Sequence, residues 1–290
     1  MYIGTVIRPP SEADSVIIQA TLGCSHNRCA FCPTYLDKDF KEKPVEEILA
    51  DIEIFKKHEP GARRVFLADG NALAMPFEKL DRILDALSAA FPRLQRVGIY
   101  ANARDIERKT EKQLEALASK KLGIIYLGLE SGSDEVLKRV KKGATSAGMV
   151  KAVKKAQAAG IKASVIGLIG LGGRELSEEH ALKTAEAVNQ MNPRFISFLT
   201  LMLVPGTPLF DEMESGKFQP LNPFEGLKEL RLIAANLEIT GQGTIFRSNH
   251  ASNYLALAGT LPKDKNKILT LIDACLEGRL PTRPEWMRGL

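Results

Sequence analysis

Cysteine is scarce in this chain and unevenly spread: of four in 290 residues, three fall between Cys24 and Cys32. A secreted disulfide framework would distribute them along the sequence, so that class is set aside. Long hydrophobic runs are missing too. The longest strongly apolar stretch, Phe195 to Val204, has ten residues and stops at Pro205 and Gly206. A bilayer-spanning helix needs about 20. No apolar targeting segment opens the sequence, and the expectation is a cytoplasmic protein with no membrane partner. The chain also lacks a G-x-x-x-x-G-K-[ST] loop and a G-x-G-x-x-G turn before a helix. Nucleoside triphosphates and nicotinamide dinucleotides therefore leave the list of expected ligands. No repeat of solenoid period and no low-complexity segment is evident.

What is present suits a globular protein. Hydrophobic residues make up 44% and charged residues 26%, ordinary values that favour one large domain with an appendage at this length. The net charge is +5. Its basic residues are scattered, except for the run Lys138, Arg139, Lys141, Lys142 and the group Lys151, Lys154, Lys155. These read first as solvated helix faces, with an RNA or phosphate partner as the alternative.

Strand and helix signals alternate. Six segments rich in β-branched and apolar residues read as strands: 15–20, 63–68, 96–101, 123–130, 162–169 and 195–203. Helical stripes lie between them. Pro44 precedes Val45, Ile48, Leu49, Ile52 and Phe55; Leu80, Ile83, Leu84, Leu87 and Phe91 form the next face. Thr110 and Gln113 have the spacing of a capping box, and a later helix is expected from about Ser177 to Asn189. Strands apolar on both faces, alternating with helices, imply an α/β protein with a parallel sheet covered by helices. A doubly wound sheet and a barrel both fit. Near residue 205 the pattern changes to Pro- and Gly-marked segments, a helix with Leu227, Leu230, Ile233 and Leu237, a polar stretch and a last helix. The expected division is a β/α domain over 1–205 and a mainly helical appendage over 206–290. Cys275 shares a helical face with Ile268, Leu271 and Ile272 and is expected to be a buried small hydrophobe.

The chemistry is expected in the segment Thr21-Leu-Gly-Cys-Ser-His-Asn-Arg-Cys-Ala-Phe-Cys-Pro33, a loop after the first strand. In parallel α/β folds the loops after strand C-termini carry function. Thiolates suit zinc or iron–sulfur clusters. A closed zinc site needs four protein ligands. His26 would have to be the fourth, giving a zinc-stabilised module that binds RNA through its lysines. Three thiolates on a four-iron cluster instead leave one iron open, the arrangement that catalysis at a metal requires.

The same loop resembles the cluster loop of the radical S-adenosylmethionine (SAM) superfamily. Its three cysteines end in C-x-aromatic-C, with Phe31 as the aromatic residue. The first gap holds four residues, Ser25 to Arg28, where the common pattern has three. Further segments follow in the superfamily's order. Asp69-Gly-Asn71 stands where the amino-group motif is placed, without the usual Gly-Gly-Glu-like sequence. The segment from Gly128 to Gly143 resembles the fourth-strand segment of the HemN-, MiaB- and Elp3-like branch. Val165 to Gly173 resembles the fifth-strand motif, and Leu203 to Phe210 the segment after the sixth strand.

The resemblance implies a partial (β/α)6 TIM-like barrel. It implies a [4Fe–4S] cluster on Cys24, Cys29 and Cys32. It further implies SAM held by Phe31, Asp69, Asn71, Asn102, Glu130, Ser131, Lys142 and Gly170. A flavodoxin- or ferredoxin-like donor would deliver one electron, and a 5′-deoxyadenosyl radical would take hydrogen from a substrate. A small-molecule substrate is the leaning, with an RNA-modifying radical enzyme as the alternative. Candidates for substrate contact are Arg104, after the third strand, and Arg247 and His250 in the polar stretch Phe246 to Asn253. That stretch, with Asn249 and Asn253, could equally cap and pin the appendage. Plain structural roles are open for the others as well: Phe31 as core, Asp69 and Asn71 as a turn, Glu130 in an ion pair, Lys142 as a solvated cation.

Overall fold

The computed structural model describes residues 2–289. All six expected strands form: β1 Val16–Gln19, β2 Arg64–Ala68, β3 Arg96–Tyr100, β4 Leu122–Glu130, β5 Lys162–Ile169 and β6 Phe195–Thr200. Between them lie α1 Val45–His58, α2 Phe77–Ala90, α3 Ala103–Glu107, α4 Glu111–Ser119, α5 Asp134–Arg139, α6 Ser146–Ala158 and α7 Gly173–Met191. The remainder carries α8 Pro208–Glu214, α9 Pro223–Asn236 and α10 Lys265–Leu276, together with β7 Thr244–Ser248 and β8 Leu257–Leu261. Its two short strands also join a sheet. Strand β7 has alternating burial, with Thr244, Phe246 and Ser248 inside and Arg247 exposed, the pattern of a half-buried strand.

The chain divides into two compact units. The first runs through Asn27 and adds Thr34–Leu127 and Ala152–Ala163. Its strands stand in the order β1-β2-β3-β4, every pair parallel. The core residues Ile18, Phe66, Leu67, Val97 and Ile99 are shut off from solvent. At the N-terminal ends of these strands the fully buried Glu12 accepts from Arg96 at 2.6 Å, and from Ser15 and Tyr126. Gly98 leaves room for it: a Cβ there would lie 3.1 Å from Glu12 Oε1 and 3.2 Å from the Phe66 ring. A buried carboxylate is tolerable only with such partners.

The second unit contains Arg28–Pro33, Gly128–Lys151 and the chain from Ser164 onward. Here β5, β6 and β7 are parallel neighbours, and β8 pairs antiparallel with β7 at the edge. Phe198 and Phe246 are fully buried in its core. Helix α7 starts at Gly173, earlier than the expected Ser177. Gly170 and Gly173, at φ +86° and +61°, turn the chain from β5 straight into the helix, a conformation that glycine adopts without strain. Cys275 is buried on α10 beside Ile268 and Ile272, as expected from the helical spacing.

The capping box also forms. Thr110 Oγ1 accepts from the Gln113 amide at 3.1 Å, and the Thr110 amide donates to Gln113 Oε1 at 2.9 Å. Thr110→Ala should cost about 1 kcal/mol of stability, seen as a lower denaturation midpoint. An unchanged midpoint would show that the box contributes nothing.

Candidate active site at the strand ends

The cysteine loop leaves β1 through Thr21–Leu22, which pairs antiparallel with Lys41–Glu42 and closes the base of the excursion. In the first unit its opening residues lie on the Asp69-Gly70-Asn71 turn after β2. Gly23 takes φ +65°. A side chain on Gly70 could not fit, because its Cβ would stand 2.3 Å from the Gly23 carbonyl and 2.8 Å from Cys24 Cα. Asn71 is fully buried. Its Oδ1 accepts from the Ser25 amide at 2.8 Å, and its Nδ2 donates to Ser25 Oγ at 2.7 Å and to Asp105 Oδ2 at 2.6 Å. Asp105 also accepts from the amide of Asn102, the N-cap of α3, at 3.0 Å, which closes the capping box of that helix. One hydrogen-bonded chain thus ties the residue after Cys24 to the ends of β2 and β3.

Asp69 is fully buried and faces Lys38 Nζ at 3.3 Å. Burial and the charge of Asp69 push the Tyr35 phenol far above its ordinary range. Three buried polar atoms lack a protein partner here: Asp69 Oδ1, Asn102 Nδ2 and Asp105 Oδ1. Each such atom costs about 1–3 kcal/mol when left unsatisfied, and an ordered water or a polar ligand is the remedy.

The later part of the loop belongs to the second unit. The Ala30 amide donates to the Val140 carbonyl at 2.9 Å, and the Ala30 carbonyl accepts from the Leu209 amide at 2.9 Å. Ala30 is buried among Val136, Val140, Leu171, Leu209 and Phe218, and Phe31 packs half-buried against the same cluster. The Cys32 amide donates to the Cys29 carbonyl at 3.2 Å. All three cysteines are half-buried, and none forms a disulfide among the described residues. Among the described residues no three His, Cys, Asp or Glu side chains stand together at metal-binding distance. The donor set itself, three thiols in one nine-residue span, is of the type that holds a [4Fe–4S] cluster.

After β4, Glu130 takes φ +61°, and its Oε1 accepts from Lys142 Nζ at 2.9 Å; both side chains are 12% exposed. Gly128 makes space for the pair, since a Cβ there would lie 1.9 Å from Glu130 Oε1. Ser131 is fully buried; its Oγ accepts from the Ser133 amide at 3.0 Å and lies 2.8 Å from His180 Nδ1. The Gly170 amide donates to Glu229 Oε1 at 2.6 Å. Sequence reasoning missed His180 and Glu229. The available signal was Glu229 lying among Gly226, Leu230 and Ile233, the inward face of α9.

The substrate candidates fare differently. Arg104 and Arg247 are exposed, and His250 is half-buried. His250 Nδ1 accepts from the Ser252 amide at 3.1 Å, and burial lowers its pKa. Ser252 Oγ accepts from the Thr200 amide at 3.2 Å, while Asn253 donates to the Phe198 carbonyl and accepts from Thr200 Oγ1, both at 2.8 Å. Much of this polar stretch therefore pins the chain to β6.

Asn71→Ala removes three hydrogen bonds and leaves the Asp105 carboxylate buried with fewer donors. It should cost about 1–3 kcal/mol and speed alkylation of Cys24, with buried Cys275 as the internal standard. Equal Cys24 reactivity in both proteins would show that Asn71 does not fix the loop.

Comparison with known proteins gives this geometry its family. A methylthiotransferase, provisionally named as such, from Methanocaldococcus jannaschii is 28% identical over 153 residues, 51% of this chain and 33% of that protein. The tRNA-2-methylthio-N(6)-dimethylallyladenosine synthase of Alkalilimnicola ehrlichii is 29% identical over 212 residues, 69% of this chain and 46% of the synthase. The chain thus spans less than half the length of these curated relatives. Coproporphyrinogen III oxidase (HemN) from Escherichia coli superposes with a TM-score of 0.58 at 16% identity, covering 76% of this chain and 51% of that one. That likeness shows a common fold, the partial TIM-like barrel expected from the sequence. The model of the Radical SAM superfamily matches residues 18–188, more than half of the sequence from β1 into α7, and on that match the chain belongs to the radical SAM superfamily, whose enzymes work with a [4Fe–4S] cluster and SAM.

Proposed function

We propose that this chain is a radical SAM enzyme acting on a small-molecule substrate. The observation that carries the reading is the cysteine loop, tied at Ser25 by Asn71 and at Ala30 by Val140 and Leu209. Each end of the loop is held within its own unit, and its three thiols are soft ligands of the kind an iron–sulfur cluster takes. Cys24, Cys29 and Cys32 would hold the cluster. When bound, the cluster and SAM supply reductive cleavage to a 5′-deoxyadenosyl radical, which takes hydrogen from the substrate. A flavodoxin- or ferredoxin-like donor would bring the electron.

The chain's own residues would bind and orient SAM. Its methionyl end carries an ammonium and a carboxylate, which suit the unpartnered Asp69 Oδ1 and the Glu130–Lys142 pair. Asn102 presents an unsatisfied amide nitrogen. Phe31, Ser131 and Gly170 would line the rest, with Asn71 holding the loop that the ligands stand on. Residues 206–290 would serve as an appendage that supports the barrel. Arg104, Arg247 and His250 remain the candidates for substrate contact, Arg104 for an anionic group.

A second reading has support from the relative named as a tRNA-modifying synthase: the substrate is RNA. Three residues of the basic runs are engaged by the protein itself, which favours the small molecule. Lys142 is bonded to Glu130, Arg139 to the Lys217 carbonyl at 2.7 Å, and Lys155 to the Glu107 carbonyl at 3.0 Å. Cations tied to the protein in this way are poorly placed to grip phosphates. The chain offers one further thiol, Cys275, which is buried and has its pKa raised by that burial.

Anaerobically reconstituted protein should release 5′-deoxyadenosine and methionine from SAM when reduced with dithionite. Alanine at Cys24, Cys29 or Cys32 should lower this to the background of cluster-free protein. Lys142→Met should weaken SAM binding about tenfold, or about 1.4 kcal/mol. Cleavage that survives any single cysteine change would remove that residue from the ligand set.

A further inference from the structure

One buried ionisable pair has no part in the roles above. His180, on α7, and Glu229, on α9, are both shut off from solvent, with His180 Nε2 at 3.5 Å from Glu229 Oε1. Each continues to a strand end. His180 Nδ1 lies 2.8 Å from Ser131 Oγ, just after β4. Glu229 Oε1 accepts from the Gly170 amide at 2.6 Å, just after β5, and its Oε2 accepts from Ser177 Oγ. The segment after β4 is tied to α7 twice more. The Gly132 amide donates to Thr184 Oγ1 at 2.9 Å, and Ser133 Oγ donates to Glu179 Oε1 at 2.6 Å.

We propose that His180 and Glu229 are a positioning pair that fixes the Ser131 and Gly170 segments relative to each other for SAM binding, an inference that rests on the assignment of those segments to SAM. Neither residue touches the ligand. They act through the backbone at Gly170 and the hydroxyl of Ser131. Gly170 takes φ +86° and carries no side chain to anchor it. The Glu229 carboxyl is the group that holds its amide.

Burial favours the neutral form of both groups below about pH 7. It draws the His180 imidazole down to about 4 and pushes the Glu229 carboxyl up to about 7. The other ionisable groups nearby on these helices are engaged elsewhere: Arg174 with Glu225, Glu175 with Arg139, Glu179 with Ser133 and Lys183 with Glu186. Lys228 lies over the Phe224 ring. Between the ordinary values of 4.5 and 6.5 the unfolded chain carries a proton on His180 and none on Glu229. The folded chain carries it on Glu229. Both states bind one proton, so the pair gives stability no pH slope in that window.

Removing either partner exposes the slope of the other. In Glu229→Gln only His180 remains, held neutral. Its contribution is complete above pH 6.5 and is lost as pH falls toward about 4. In His180→Gln only Glu229 remains, held protonated. Its contribution is complete below pH 4.5 and is lost as pH rises through about 7.

The test compares wild type, Glu229→Ala, Glu229→Gln and His180→Gln as reconstituted holoenzymes. Glu229→Ala should speed amide exchange in the 168–172 segment and weaken SAM binding about tenfold or more. Glu229→Gln keeps an acceptor for the Gly170 amide and should restore both. Denaturation from pH 5 to 7.5 should give the two glutamine variants slopes of opposite sign relative to wild type, up to about tenfold in the unfolding equilibrium per pH unit. That readout stands if Glu229→Ala fails to fold. A wild type that binds SAM alongside a Glu229→Ala protein that binds it equally, with unchanged exchange at 168–172, overturns this inference alone. Two glutamine variants with parallel slopes also overturn it. A wild type that binds no SAM overturns the SAM assignment and this inference with it.

Discussion

The structure depends on holding one short loop still. Three thiols in nine residues have little local secondary structure of their own, and a loop this polar would wander if left to itself. The fold supplies outside partners at both of its ends. Near Cys24 the partner is the Asn71 side chain, itself braced by Asp105. Near Cys29 and Cys32 it is the backbone of Val140 and Leu209, with the Ala30 methyl sunk in an apolar cluster. Each grip asks for a particular small residue. Gly70 admits the backbone at Cys24, and Ala30 fills a space bounded by Val136, Val140 and Phe218.

The same economy of partners explains the buried polar groups at the strand ends. Buried charges persist only with hydrogen bonds or counter-charges. Glu130 has Lys142 and Asp69 has Lys38; the Glu229 carboxyl, buried as the acid, has the Gly170 amide and Ser177. Glu12, at the opposite end of the first unit's strands, is satisfied entirely by protein groups and reads as structural. Asp69 Oδ1 and Asn102 Nδ2, in contrast, stay buried without protein partners.

Much of this was legible in the amino-acid order. The six main strands, the Thr110 capping box and the burial of Cys275 follow from local periodicity. Other features depend on residues far apart in sequence. Asn102 and Asp105 announce a helix start, but not that Asp105 braces Asn71, 34 positions earlier. Glu229 reaches Gly170 across 59 positions. Strands β7 and β8 have five residues each and gain their stability from neighbours rather than from their own pattern. In Phe246 to Asn253, donor-rich residues suggest either a substrate pocket or a pin. Only the contacts of Ser252 and Asn253 with β6 reveal the pinning.

The central claim is that Cys24, Cys29 and Cys32 leave an open iron for SAM. The most direct measurement is electron paramagnetic resonance on the anaerobically reconstituted, dithionite-reduced protein, with and without SAM. The account predicts a reduced [4Fe–4S] signal that SAM perturbs and that Cys29→Ala abolishes. A colourless protein that takes up zinc and shows no SAM-sensitive signal would contradict it.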